Sequence, residues 1–169
     1  LNIGNTYTSG GGTWRQSDAK NMGRAMSYRP DTPAGLKPKD LIGVAWILAM
    51  ALQLDGWYLR SDIIWYKPNC QPESVKDRVT VSHEYIFMLS KSENYYFDQE
   101  SIKERTADGK SLKNKRTVWQ INTEPCKEAH FAVFPRALVH PCILAGSPRG
   151  GLVLDPFFGS GTVGVVAIE

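Results

Sequence analysis

Cysteine is scarce in this chain: Cys70, Cys126 and Cys142 are the three in 169 residues, scattered and odd in number, with no C-x-x-C pair. That excludes a disulfide framework and a cysteine-based zinc site, and it fits reduced thiols in a cytoplasm. Long apolar runs are missing too. The longest, Leu41–Leu54 between Asp40 and Asp55, is too short to span a bilayer and suits a buried helix. No signal peptide is visible, and no initiating methionine. His83-Glu84 has no second histidine at helical spacing, so no metal site is expected. Neither sign of charge dominates. Twenty Lys and Arg face 17 Asp and Glu, and the net charge of +3 permits an anionic partner without demanding one. There are no internal repeats.

What is present reads as α/β. Leu1–Ile3 looks like a strand tail, already inside a domain, so both ends are expected to be cut. A glycine-rich and polar stretch follows to Lys37. Pro38 suits the first turn of a helix that ends before Gly56. Trp57–Tyr66 and Val81–Leu89, rich in aromatic and β-branched residues, read as antiparallel neighbours joined by the polar loop Lys67–Val79. Ser90–Lys115 is polar and charged. Val118–Ile121 suits a short strand, and Pro135 opens a helix to Ala145 that Pro141 should kink or weaken. Leu152–Leu154 reads as a buried strand, a glycine turn follows, and Ser160–Ile168 begins a helix.

The closing stretch "LVLDPFFGSGTVGVVAIE" carries chemistry. In open α/β sheets, ligands bind at the carboxyl ends of strands. Gly159 and Gly161 let a ligand approach the backbone, and the helix after them offers free N–H groups to an anion. Asp155 adds a negative charge beside them. A ligand with both an ammonium and a carboxylate suits such a mixed site. The plainer alternative is a tight turn with Asp155 as a cap. A phosphate-binding P-loop is excluded because no lysine follows the glycines, and a nucleophile elbow because Ser160 lies directly between them.

A second feature stands upstream. "HFAVFPRALVHPCILAGSPRGGLVLDPFFGSGT" (His130–Thr162) resembles the joined cofactor motifs of the DNA amino-methyltransferases, in the permuted order that places H-x-x-x-F-P before D-P-F-x-G-S-G-T. "LNIGNTY", "GLKPKDLIGVAWILAMALQLDGWYLRSDIIWYKPNCQPESVKDRV" and "SHEYIFMLSKSENYYFD" extend the resemblance over most of the chain. The family transfers a methyl group from S-adenosylmethionine to the exocyclic amino group of adenine (N6) or cytosine (N4) in double-stranded DNA. The resemblance implies a Rossmann-like methyltransferase sheet with an antiparallel strand pair. It implies three regions: 1–90 after the catalytic strand, 91–120 as a target-recognition insert, and 121–169 with the cofactor motifs. It assigns cofactor binding to His130, Phe134, Pro135, Asp155, Pro156, Phe157, Gly159, Ser160, Gly161 and Thr162. Asn5 stands where relatives often carry aspartate, and Val163-Gly164 departs from the commoner residues after the loop. A related RNA or protein amide methyltransferase, or a catalytically dead DNA-binding remnant, are the alternatives.

The family's catalytic loop, Asp/Asn/Ser-Pro-Pro-Tyr/Phe/Trp, does not occur here, and no catalytic residue is assigned. By family order it lies before Leu1, on a strand between Leu1–Ile3 and Leu152–Leu154. Those two segments are therefore expected about 10 Å apart, unpaired, and the chain unstable alone. Lys110, Lys113, Lys115 and Arg116, and more weakly Lys67, Lys76 and Arg78, are the candidates for gripping DNA phosphates; a solvated loop is the alternative. Tyr85 or Trp65 could stack a flipped base, with core packing as the plainer role.

Overall fold

The computed structural model describes residues 1–9, 11–12, 28, 30–124 and 134–169. Its main sheet has three strands. β1 (Tyr58–Tyr66) pairs antiparallel with β2 (His83–Ser90), from Tyr58 opposite Ser90 to Tyr66 opposite His83. β5 (Val118–Gln120) runs parallel to β1, with Trp65 opposite Trp119. The strand pair expected from the aromatic, β-branched runs is thus present and antiparallel. Leu1–Asn2 lies along the other edge of β2: Asn2 bridges Ile86, and the Phe87 N–H donates to the Leu1 carbonyl at 2.7 Å.

Both faces of this sheet are covered. α1 (Val44–Leu54) lays Ala45 and Ala49 on Phe87, with Tyr85, Leu89, Leu59 and Ile3 around them. On the opposite face α2 (Arg136–Gly146) packs Leu138 against Trp65, Ile86 and Trp119. A register shift between Leu59 and Ser61 lets the two faces share one strand. Without that bulge, Leu59 and Ile63 would point the same way; with it, Leu59 faces α1 and Ile63 faces α2. α2 runs unbroken through Pro141, which carries no N–H to bond back one turn. A small hairpin, β3 (Glu104–Arg105) with β4 (Leu112–Lys113), stands apart from the sheet. α3 (Thr162–Ile168) packs on α2.

Two expectations differ by more than a residue or two at an element's end. α1 starts at Val44, not at Pro38. Residues 40–42 are held extended instead, by Thr8 N–H to the Asp40 carbonyl and Ile42 N–H to the Thr6 carbonyl, each 2.9 Å. Leu152–Leu154 is not a strand. No neighbouring strand offers it a ladder among the described residues, and an extended segment without one has nothing to hold it. Among the described residues neither Leu152 nor Leu154 forms a ladder or bridge with Leu1–Ile3, whose Asn2 bridges Ile86, and both are exposed, by 97% and 84%.

The N-terminus of α1 is capped from a distance. Gly43, its N-cap, sits at φ 77 and has no side chain to offer. Asn5 Oδ1 accepts the N–H groups of Gly43 at 3.0 Å and Val44 at 3.2 Å, as well as its neighbour Thr6 at 2.9 Å. The carbonyl oxygen of an amide performs here what an aspartate would do, which accounts for the departure at this position.

Candidate functional site

The glycine loop is shaped by its own side chains. Asp155 Oδ1 accepts the Phe157 N–H at 3.0 Å, so one carboxylate oxygen fixes the turn. Oδ2 has no hydrogen-bond partner among the described residues and remains available to a cation. Gly159 (φ 50) and Gly161 (φ 82) occupy left-handed backbone that favours glycine. The Gly161 N–H closes onto the Phe158 carbonyl at 2.8 Å, while the N–H groups of Gly159 and Ser160 donate to nothing among the described residues. Ser160 Oγ lies 3.3 Å from Thr162 Oγ1.

Phe158 also explains a residue that sequence reasoning treated as a minor departure. Its ring lies over the start of α3, and a Cβ at Gly164 would fall 2.6 Å from Cζ and 2.7 Å from Cε2. Glycine at 164 is what lets the ring lie there. No local sequence signal marks it, because the clash is with a residue on the other side of the turn.

The remaining cofactor candidates differ in their exposure. Pro156 and Phe157 are exposed, Phe157 by 90%. Pro135 is buried as the N-cap of α2, and Phe134 packs against the Trp65–Trp119 cluster. His130 lies outside the described residues.

The basic candidates divide by partner. Lys67 Nζ pairs with Glu84 and lies 4.8 Å from the Trp65 ring centroid. Arg78 pairs with Glu73. Lys113, at 3.5 Å, and Arg116 both pair with Glu104, whose carboxyl is held below its ordinary value chiefly by the Arg116 hydrogen bond. Lys115 lies 5.0 Å from the Trp119 ring centroid. Lys76 and Lys110 are exposed and carry no ion pair among the described residues. Lys110 follows Gly109 (φ 70) at the tip of the β3–β4 hairpin, where Asp108 accepts its N–H at 3.2 Å.

Neither aromatic proposed for base stacking is free. Trp65 is 3% exposed and its indole N–H donates to the Ile121 carbonyl at 2.8 Å. Tyr85 is wedged between Trp46 and Phe87, with ring centroids 5.0 and 5.9 Å away. Both serve the core. Among the described residues no group of three or more His, Cys, Asp or Glu could hold a metal ion, and no helix is long and apolar enough to cross a membrane.

The profile of a DNA methylase family matches residues 2–169. The chain belongs to that family. It is 72% identical over 170 residues to the type II methyltransferase M.SmaI of Serratia marcescens, covering 100% of this chain and 58% of the relative. With M.Cfr9I of Citrobacter freundii it shares 63% identity over 98% of this chain and 55% of the relative. The chain therefore spans a little over half the length of these relatives. Its fold is similar to that of the cytosine-N4-specific PvuII DNA methyltransferase, with a TM-score of 0.63, 23% identity, and coverage of 80% of this chain and 51% of that one. A complex of M1.HpyAVI with its SAM ligand is similar at TM-score 0.55, 23% identity, over 75% of this chain and 58% of that one.

Proposed function

We propose that this chain is part of a site-specific DNA methyltransferase of the type II restriction–modification kind, transferring a methyl group from S-adenosylmethionine to the exocyclic amino group of adenine or cytosine. The observation that carries the reading is the family match over residues 2–169, which includes the Asp155–Thr162 loop. The loop's chemistry supports the cofactor. Asp155 Oδ2 suits the ammonium of its amino acid end, and the N–H groups of Gly159 and Ser160, without an acceptor among the described residues, suit the carboxylate. Bound there, the cofactor supplies a methyl group on a positively charged sulfur. This chain's part is to hold and orient the amino acid end, with the Phe158 ring bracing the loop.

Double-stranded DNA is the proposed partner. Lys76, Lys110 and Lys115 lack carboxylate partners among the described residues and are the cations readiest to meet phosphates, whereas Lys67, Lys113 and Arg116 must first leave theirs. The division into 1–90, 91–120 as target-recognition insert and 121–169 is proposed on the same basis, and a cytoplasmic location follows from the substrate.

The test is transfer of labelled methyl groups from S-adenosylmethionine to duplex DNA by the complete enzyme, beside an Asp155→Asn variant. The amide keeps an acceptor for the Phe157 N–H and removes the charge. A charge-assisted hydrogen bond contributes about 1.5–3 kcal/mol, so cofactor affinity should fall roughly 10- to 150-fold. No labelled DNA with wild-type enzyme would end the functional reading. Unchanged cofactor affinity in the variant would leave Asp155 as a turn cap only.

A further inference from the structure

The loop from Lys67 to Ser82 joins β1 to β2 and contains three of the basic candidates, but its ties to the rest of the fold set them apart. Its base is closed by the Lys67 N–H donating to the Ser82 carbonyl at 2.8 Å. Asn69 exchanges two hydrogen bonds with Thr123, at 3.0 and 2.9 Å. Asp77 accepts Lys39 Nζ at 2.6 Å. Next to it, Arg78 pairs with Glu73, donates to the Val79 carbonyl at 3.1 Å, and lies 4.1 Å from the centroid of the Tyr7 ring. Lys76, immediately before these last ties, points no charge at any partner among the described residues and is exposed.

Arg78 has its charge balanced and one face covered, and its side chain is only 25% exposed. To grip a phosphate it would have to give up Glu73 and Tyr7 together. Lys76 gives up nothing. A lysine on an unanchored loop loses conformational freedom on binding, and anchoring the residues beside it removes part of that cost beforehand.

We propose that Arg78 is a positioning residue for DNA binding, not a phosphate ligand: it clamps the loop to Tyr7 and so presents Lys76 to the duplex backbone. The proposal rests on the DNA-methylating function above. Neither Arg78 nor Tyr7 belongs to the glycine loop.

The experiment measures affinity of the complete enzyme for duplex DNA carrying its site, between about 50 and 200 mM salt, with cofactor binding as a folding control. Lys76→Ala should lower the slope of log K against log salt by about 0.9, so the wild type loses roughly 3.5-fold more affinity across that range than the variant. Tyr7→Ala removes no charge, yet it should lower the slope by the same amount, and Tyr7→Phe, which keeps the aromatic face, should restore it. Arg78→Ala combined with Lys76→Ala should match Lys76→Ala alone. A further drop of about 0.9 in that double variant would make Arg78 a phosphate ligand and overturn the proposal. So would a wild-type slope in Tyr7→Ala, which decides the matter even where the Arg78 variants fail to fold. A wild-type slope in Lys76→Ala overturns it while leaving DNA methylation standing; absence of DNA binding by the wild type overturns both.

Discussion

Asn5 is the position where a single atom is asked to do most. Its Oδ1 accepts three N–H groups, those of Thr6, Gly43 and Val44, and the last two belong to a helix start 38 residues away. α1 has no acidic residue in its first turn and no capping side chain of its own. Asn5→Ala should therefore cost what loss of an N-cap costs, about 0.5–2 kcal/mol. The residue is exposed, and water can reach the freed N–H groups, which places the loss near the middle, roughly 1 kcal/mol. Asn5→Asp keeps the acceptor and adds negative charge at the positive end of the helix, a gain of about 0.3–1 kcal/mol. Urea unfolding reads both as midpoint shifts, down for alanine and up for aspartate. Hydrogen exchange at Gly43 and Val44 localises the effect, and both amides should exchange faster in the alanine variant. An aspartate variant as unstable as the alanine one would refute the capping argument, because it would mean the amide's N–H groups, not its oxygen, matter at this site.

Two further outcomes follow from the packing and the ion pairs. Leu138, 4% exposed between α2 and the sheet, should cost about 2–5 kcal/mol when truncated to alanine; a loss under 1 kcal/mol by urea unfolding would mean α2 is loosely docked. Acid should destabilise the chain through Asp77, Asp98, Glu104 and Asp108, whose carboxyls Lys39, Ser101, Arg116 and Thr106 respectively hold below their ordinary values of 3.8 or 4.5. A depressed folded value contributes stability that is present above the unfolded one and lost as pH falls through the folded one. The urea midpoint should therefore drop below about pH 4.5, and a midpoint that rises on acidification would contradict these pairings.

How much of this was legible beforehand depended on the range of the interactions. β1 and β2 could be read because their composition is local: β-branched and aromatic residues bounded by polar loops. The start of α1 could not, because residues 40–42 are held extended by backbone hydrogen bonds to Thr6 and from Thr8, and its cap is Asn5. The apolar run Leu152–Leu154 looked like a buried strand by composition, yet a strand exists only with a ladder partner, and composition does not supply one. In the candidate site, Asp155 and the positive-φ glycines could be picked out from the motif. Gly164 could not, because the ring that requires it approaches through space.

The basic residues make the same point for function. A sequence counts cations; whether a cation can serve a duplex depends on what already holds it. Glu104 alone engages both Lys113 and Arg116, so two of the four charges that crowd residues 110–116 are already paired within the hairpin region. A phosphate recruiting either must displace a carboxylate, and the counterions released on binding are then fewer than the charges in the run. Lys110, by contrast, is carried at a hairpin tip whose turn is closed by Asp108 and Thr106, with its ammonium left outside the network. Acidic residues here do not merely dilute the basic surface. They decide which lysines are committed to holding the fold and which are left to meet an anion.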